Sequence, residues 1–308
     1  MDFRRWLVVC LCAALGAGAA MAASSCGDDE RGDVEVEGAT TGTGTGTVGT
    51  TTAPVTVDTS ATDPAALQRA MGEVATYARG QTARLVKATE DLQEAIDDGD
   101  VPRAKKAYAA GRPYYESIEP LVALFPELDG KIDAREDDFP KKAADPTWTG
   151  FHPIERKLWK DERIDARTRE LAAGLVKDSK RLDGLMQDAD VTPEVVIPGI
   201  AELVDEVEES KITGEEERYS KLDIPTFIAN LEGSQAFYKT LEPLVESADP
   251  ELAREISDAF EASFAEVSGL KGKAYDELTS KQQKAIKQSI EALAEPLARV
   301  QGTLGVKT

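Results

Sequence analysis

Two short spacings in this chain bring groups able to hold a cation onto one side of a helix. Glu116 and Glu119 stand three residues apart, as do His152 and Glu155, and side chains at that spacing share a helix face. Two carboxylates placed this way repel each other unless a cation lies between them. Pro120 adds irregularity, because without an N–H it leaves the carbonyl of Glu116 unserved and bends the helix where the acids sit. Spacing alone fits two acids on a solvated face equally well. His152 with Glu155 is a mixed nitrogen and oxygen set, which suits iron, manganese or zinc. Pro153 disfavours a helical His152, so a blander arrangement stays open: His152 as a helix cap and Glu155 as a first-turn acid complementing the helix dipole.

His152 is the only histidine in the chain. That excludes a two-histidine zinc protease, a facial triad with two histidines and a haem held by a histidine pair. Further acids lie in the stretch from Leu128 to Asp138, with Asp133 between Ile132 and Ala134, and in the run from Glu202 to Glu217. Most of these read as solvated helix faces. Gly214 interrupts the second run, and acids at such a break, Glu215 among them, can turn inward at low backbone cost.

The elements that must position these groups are helices. Apolar residues recur at three and four in Leu67, Met71, Val74 and Ala78 and again through Leu85, Leu92 and Ile96, which predicts a long first helix ended by Gly99. Asp100 then caps a second, running from Val101 to Leu124 with Pro113 and Pro120 inside it. Further helices are expected at Pro126–Asp138, Pro153–Trp159, Ala166–Gln187, Pro193–Lys211, Pro225–Glu246, Pro250–Gly269 and Ser280–Gly302. Nothing alternates like a strand, so the fold class is all-α with antiparallel bundle packing. Tyr115-Glu116-Ser117-Ile118-Glu119-Pro120-Leu121-Val122 lines up with Tyr238-Lys239-Thr240-Leu241-Glu242-Pro243-Leu244-Val245, which suggests two related helical halves. Shared residues then belong to the scaffold, and acids peculiar to the first half are the better site candidates.

Charge and composition narrow the function classes. Against 57 Asp and Glu stand 36 Lys and Arg, a formal net charge of −21, so phosphate backbones are repelled and nucleic-acid binding is excluded. Arg4 and Arg5 followed by an apolar run from Trp6 to Ala22 read as an export signal over residues 1–25. Cys10 and Cys12 leave with it, and the mature chain keeps only Cys26, with no internal disulfide. Cys26 follows small residues resembling a lipobox, which makes it the expected lipidated residue and gives an anchored form of membrane attachment. A cut after Ala22 would instead leave it a free thiol. Residues 26–62 are rich in Gly, Thr and acids and form a tether, spanning roughly 30–35 Å as a random coil. The helical domain is expected over 63–308.

Gly150-Phe151-His152 with Glu155 and Leu158-Trp159, Tyr115-Glu116 to Glu119-Pro120, Leu128-Asp129 to Ile132-Asp133-Ala134-Arg135-Glu136, Lys211-Ile212-Thr213-Gly214-Glu215-Glu216 and Tyr219-Ser220 together resemble the imelysin-like domain of the EfeO/EfeM family. The resemblance covers about Asp63 to Thr308. It implies two four-helix bundles flanking a metal-binding cleft, in the extracytoplasmic metal-binding component of an iron-uptake system. The family's HxxE maps to His152 and Glu155, and its further acidic ligands fall at Glu116, Glu119, Asp133 and Glu215. The Gly/Thr tether stands where longer members carry a cupredoxin domain, so the match is to the shorter, EfeM-like form.

The expected function is therefore a lipid-anchored iron binder, exported and facing the periplasm or cell exterior, that takes up Fe2+ or Fe3+ and delivers it to a membrane permease. A haem-dependent dye-decolourising peroxidase is a second partner implied by the resemblance alone. Zn2+, Cu2+ and Ca2+ are alternative ions. A metallopeptidase is disfavoured: there is no HExxH, and no serine sits in a nucleophile motif. Calcium would suit the all-oxygen acids but not an essential His152.

Overall fold

Capping residues and apolar spacing delimit the helices. Asp63 accepts a hydrogen bond from the N–H of Ala65 and opens α1 (Pro64–Asp97), whose buried stripe includes Met71, Val74, Ala78, Leu85, Leu92 and Ile96. Asp100 accepts from the N–H of Arg103 and opens α2 (Val101–Glu116). After α3 (Glu119–Val122), α4 (Pro126–Ile132) and α5 (Phe151–Trp159) come α6 (Ala166–Asp188), α7 (Pro193–Glu206), α8 (Asp223–Ala248), α9 (Pro250–Ser268) and α10 (Ser280–Thr303). This computed structural model describes residues 63–207, 211 and 213–307, and among them there is no strand. The expected signal segment, Cys26 and the tether lie outside the described residues. No described helix is long and apolar enough to cross a membrane.

Packing groups the long helices into two rings. α1 packs on α2 and α6, and α5 closes that ring by touching both α2 and α6; α7, α8, α9 and α10 form the second, each against two neighbours. α1 and α2 also pack on α8, so the rings share one continuous apolar core.

Three expected helices end early, and each early end lies beside the acids. The expected Val101–Leu124 helix breaks at Ser117 and Ile118, where Ile118 takes φ −119° before α3 begins. The cause is Pro120, which cannot donate to the Glu116 carbonyl. That carbonyl accepts instead from the side-chain amide of Asn230 on α8, at 3.1 Å. The expected Pro126–Asp138 helix ends at Ile132, with a 3-10 turn at Glu136–Asp138. The expected Pro193–Lys211 helix ends at Glu206, and the backbone at Val207 and Lys211 widens into π-type turns, a form often found at functional sites.

Candidate metal centre

His152 owes its position to Gly150. Gly150 has φ +93°, and a Cβ there would stand 2.1 Å from the carbonyl oxygen of Ile132. Only glycine lets the start of α5 lie so close against the end of α4, where Asp133 sits as the residue closing that helix. His152 Nε2 then lies 3.5 Å from Asp133 Oδ1, and its Nδ1 lies 3.4 Å from Glu155 Oε2. Pro153 falls in the first turn of α5, where its missing N–H costs nothing. His152 is helical rather than a cap, Gly150 taking the cap position, and the two HxxE side chains face each other.

The opposite wall comes from the irregular segment between α7 and α8. Glu155 Oε1 accepts from the backbone N–H groups of Tyr219 and Ser220 at 2.8 and 2.7 Å, which ties α5 to this segment. Glu216 and Glu217 are buried there. Two sets of ligand atoms converge: Asp133, His152 and Glu216 in one, His152, Glu155 and Glu217 in the other, with every ligand atom of a set within 4.8 Å of the rest. Metal bonds to nitrogen and oxygen of about 2.0–2.2 Å put ligands on opposite sides of an ion about 4 Å apart. Either set therefore closes on an ion with small side-chain shifts. His152 Nε2 is buried without a hydrogen-bond partner.

Two permanent cations are buried among these acids. Arg112, on α2, contacts Glu116 and Asp133, donates to Glu217 at 2.6 Å and lies 3.5 Å from Glu216. The ammonium of Lys211 lies 2.7 and 2.5 Å from the two oxygens of Glu119 and 3.2 Å from Glu116. Glu116, Glu119, Asp133, Glu155, Glu216 and Glu217 thus outnumber the buried cations, with Arg135 adding one partly exposed contact to Glu216 at 2.9 Å. Burying unbalanced charge is costly unless protons or further cations compensate.

The titration of the site follows that imbalance. Burial opposes the charge on Asp133, but Arg112 and then His152 outweigh it and hold the carboxyl well below its usual range. Burial likewise disfavours the imidazolium of His152, yet the carboxylates of Asp133 and Glu155 beside it raise it to about 10. For Glu217 burial wins over Arg112, and it is raised to about 8. Burial also prevails over Lys211 at Glu119, which is raised well above the carboxylate range. Protons on such groups are what an incoming cation displaces.

A pocket with about 190 Å³ of atom-free space, partly open to solvent, leads to His152 and Glu155. Trp148 is one wall, its indole N–H donating to the Ala134 carbonyl at 2.8 Å. Arg218 lies at the mouth, contacting Glu136 and Asp137 and donating to Glu215 at 2.6 Å. Glu215 is exposed at this rim, while Glu216 and Glu217 turn inward. Of the acids expected at the site, Asp133 and Glu155 lie against His152, and Glu116 and Glu119 lie around Lys211. Glu216, Glu217, Arg112, Lys211 and Asn230 were not singled out by the sequence reading. Basic residues within an acidic run, such as Lys211, are the signal that could have pointed to them.

Comparison with known proteins places the chain. The sequence profile of the imelysin family, named Peptidase_M75, matches residues 71–300. The chain belongs to the imelysin family. It is 41% identical over 241 residues to the iron uptake system component EfeO of Escherichia coli strain K12, and equally to those of Shigella flexneri and E. coli O157:H7. Each match covers 75% of this chain and 62% of the relative, so the chain spans about 62% of the length of these curated imelysin-type relatives. They carry the name of an iron uptake component, not of a peptidase.

Proposed function

We propose that this imelysin-family chain is an extracytoplasmic iron-binding component of an iron-uptake system, which captures the ion at His152 and hands it to a membrane permease. The observation carrying this reading is the convergence of Asp133, Glu155, Glu216 and Glu217 on a buried imidazole whose Nε2 has no hydrogen-bond partner. An acid-rich cradle centred on one imidazole suits Fe, Mn, Zn or Cu better than Ca2+. The similarity to EfeO supports iron as the cargo. Glu216 and Glu217 take the inward role first expected of Glu215, which remains at the rim as part of the entrance. A pocket this small suits an ion and not a peptide chain, so the reading is of binding and transfer rather than hydrolysis. Lipidation of Cys26, a leader over 1–25, a tether over 26–62 and a partner peroxidase belong to the same proposal.

The test is anaerobic titration calorimetry with Fe2+ on the metal-stripped protein beside His152→Ala. Uptake near one ion per chain, weakened at least a hundredfold in the variant, is the expected result. Equal binding by both proteins would move the site onto the carboxylates alone, and no heat from either would sink ferrous capture.

A further inference from the structure

The residues that converge on His152 are almost sealed from water. His152 and Glu216 are 3% exposed, Glu155 and Glu217 not at all, and Asp133, the outermost, 11%. A hydrated cation therefore meets its ligands only after one wall of the pocket moves. The inner wall is fixed: Glu217 is held by buried Arg112, and Glu155 accepts the N–H groups of Tyr219 and Ser220. The outer wall is the 3-10 turn Glu136–Asp138, which buries no residue and can swing outward without exposing core or buried charge. Few contacts hold it across the mouth, and Arg218 makes most of them. Its two terminal nitrogens contact Glu136 and Asp137, while its Nε donates to Glu215 on its own side at 2.6 Å. The hydroxyl of Tyr219 donates to the same Glu136.

We propose that Arg218 is the latch of this pocket: it fastens the Glu136–Asp138 turn across the mouth, and an ion passes to and from His152 only while the latch is open. The proposal rests on the reading of His152 as an ion site and adds no ligand to it. Two observations point to closure rather than to charge balance. Asp137 and Glu215 are about half exposed, 46% and 55%, so water already solvates them and they need no arginine. A guanidinium at the door of a cation pocket also repels the cargo, which explains nothing unless it swings aside. Its chemistry suits a latch. A planar fork of three nitrogens bridges three carboxylates at once, which an ammonium cannot do. Arg218 is itself a quarter exposed, so its pairs are screened and can break and re-form, unlike those of Arg112 at 1%. The latch fastens over a loaded and an empty pocket alike. Cutting it therefore speeds entry and exit together and leaves affinity nearly unchanged, because it favours neither state. Loss of a ligand would instead raise the release rate and the dissociation constant in step.

The experiment compares the wild type, Arg218→Met and Arg218→Lys. Release of Fe2+ into excess chromogenic chelator is timed anaerobically, and the dissociation constant comes from calorimetry. Arg218→Met should release Fe2+ at least fivefold faster with a dissociation constant within threefold of the wild type, and Arg218→Lys should fall between. Glu136→Gln/Asp137→Asn, which cuts the latch from its other side, should copy Arg218→Met and decides the matter if that variant does not fold. A smaller change in release, or a dissociation constant that weakens in step with it, overturns the proposal. Hydrogen–deuterium exchange of the metal-free proteins supplies a readout that needs no ion. The amides of Asp138 and Phe139, bonded within the turn to Arg135 and Glu136, should exchange at least fivefold faster in Arg218→Met, while those of Tyr219 and Ser220 on the fixed wall keep the wild-type rate. Equal exchange at the turn, or equal loosening of both walls, overturns the latch. If none of the proteins binds Fe2+, the reading of His152 falls, and exchange at the turn alone still upholds or overturns the latch.

Discussion

Tyr115–Val122 and Tyr238–Val245 carry the same Tyr, Glu, Pro and Val pattern, and the structure treats them in opposite ways. The second runs unbroken inside α8 through Pro243, and its Lys239 and Glu242 pair on the surface at 2.8 Å. The first breaks at Ser117 and Ile118, and its Glu116 and Glu119 are drawn inward. Each proline deprives the carbonyl four residues earlier of its partner. In α8 that carbonyl belongs to exposed Lys239, within reach of water. In the first segment it is buried and needs Asn230, which α8 can bring close because a Cβ on Gly233 would stand only 2.1 Å from the Ser117 carbonyl. Where the second segment has Lys239 to pair with its acid, the first has Glu116, and its cations are Arg112, one turn earlier on α2, and Lys211 from beyond α7. A glutamate in place of lysine at that position thus adds an acid to the segment that is buried.

The contrast can be broken at its strongest point first. Arg112→Met removes a cation shared by four carboxylates, Glu116, Asp133, Glu216 and Glu217, and should cost about 3–5 kcal/mol of stability in chelator, read from urea unfolding, as loss of one member of a buried ion pair does. Asn230→Ala leaves the Glu116 carbonyl unserved and should cost about 1–3 kcal/mol by the same measurement. The two segments should also differ in sign with pH. Burial raises Glu217, next to the first segment, to about 8; its contribution is full below the unfolded carboxylate value and is lost as pH rises toward 8. Burial pulls Glu242 up, but the hydrogen bonds of Lys239 and Ser257 prevail and lower it, so its contribution is present at neutral pH and lost on acidification. Urea midpoints of the metal-free protein across pH 4–8 should therefore flatten in Glu217→Gln at the neutral end and in Glu242→Gln at the acid end. The smallest effect is expected of Lys239→Met, which should change stability by about 1 kcal/mol or less, since its pair is exposed. A Lys239→Met cost matching that of Arg112→Met would end the distinction between the segments.

What could be read from the sequence follows the same division. The apolar spacing of α1, α6, α9 and α10 gives their spans within a few residues, because periodic burial against a neighbouring helix is a local property of the chain. Pro120 already marked a bend after Glu116, though not that Asn230 would serve the freed carbonyl; the ends at Ile132, where Gly150 comes close, and at Glu206 were not legible. His152, Glu155 and Asp133 were visible as residue types in a family pattern. Which of three consecutive glutamates turns inward was not, because Gly214 and the packing of Tyr275 against it set the direction of that turn. Arg112 and Lys211 escaped notice for a related reason. A basic residue looks solvated in sequence until its acids are folded around it.

The placing of the aromatic residues gives the protein its own optical probe. Trp148 lines the pocket, and Trp159 packs edge-on against Tyr108 at 5.3 Å, whose hydroxyl donates to Glu217 at 3.1 Å. Trp148 therefore adjoins the ligand set and Trp159 lies one residue behind it, and a paramagnetic ion arriving there would quench their emission. Loading and release can then be followed in real time by intrinsic fluorescence on unlabelled protein, with Trp148→Phe and Trp159→Phe telling which side of the centre the ion reaches first.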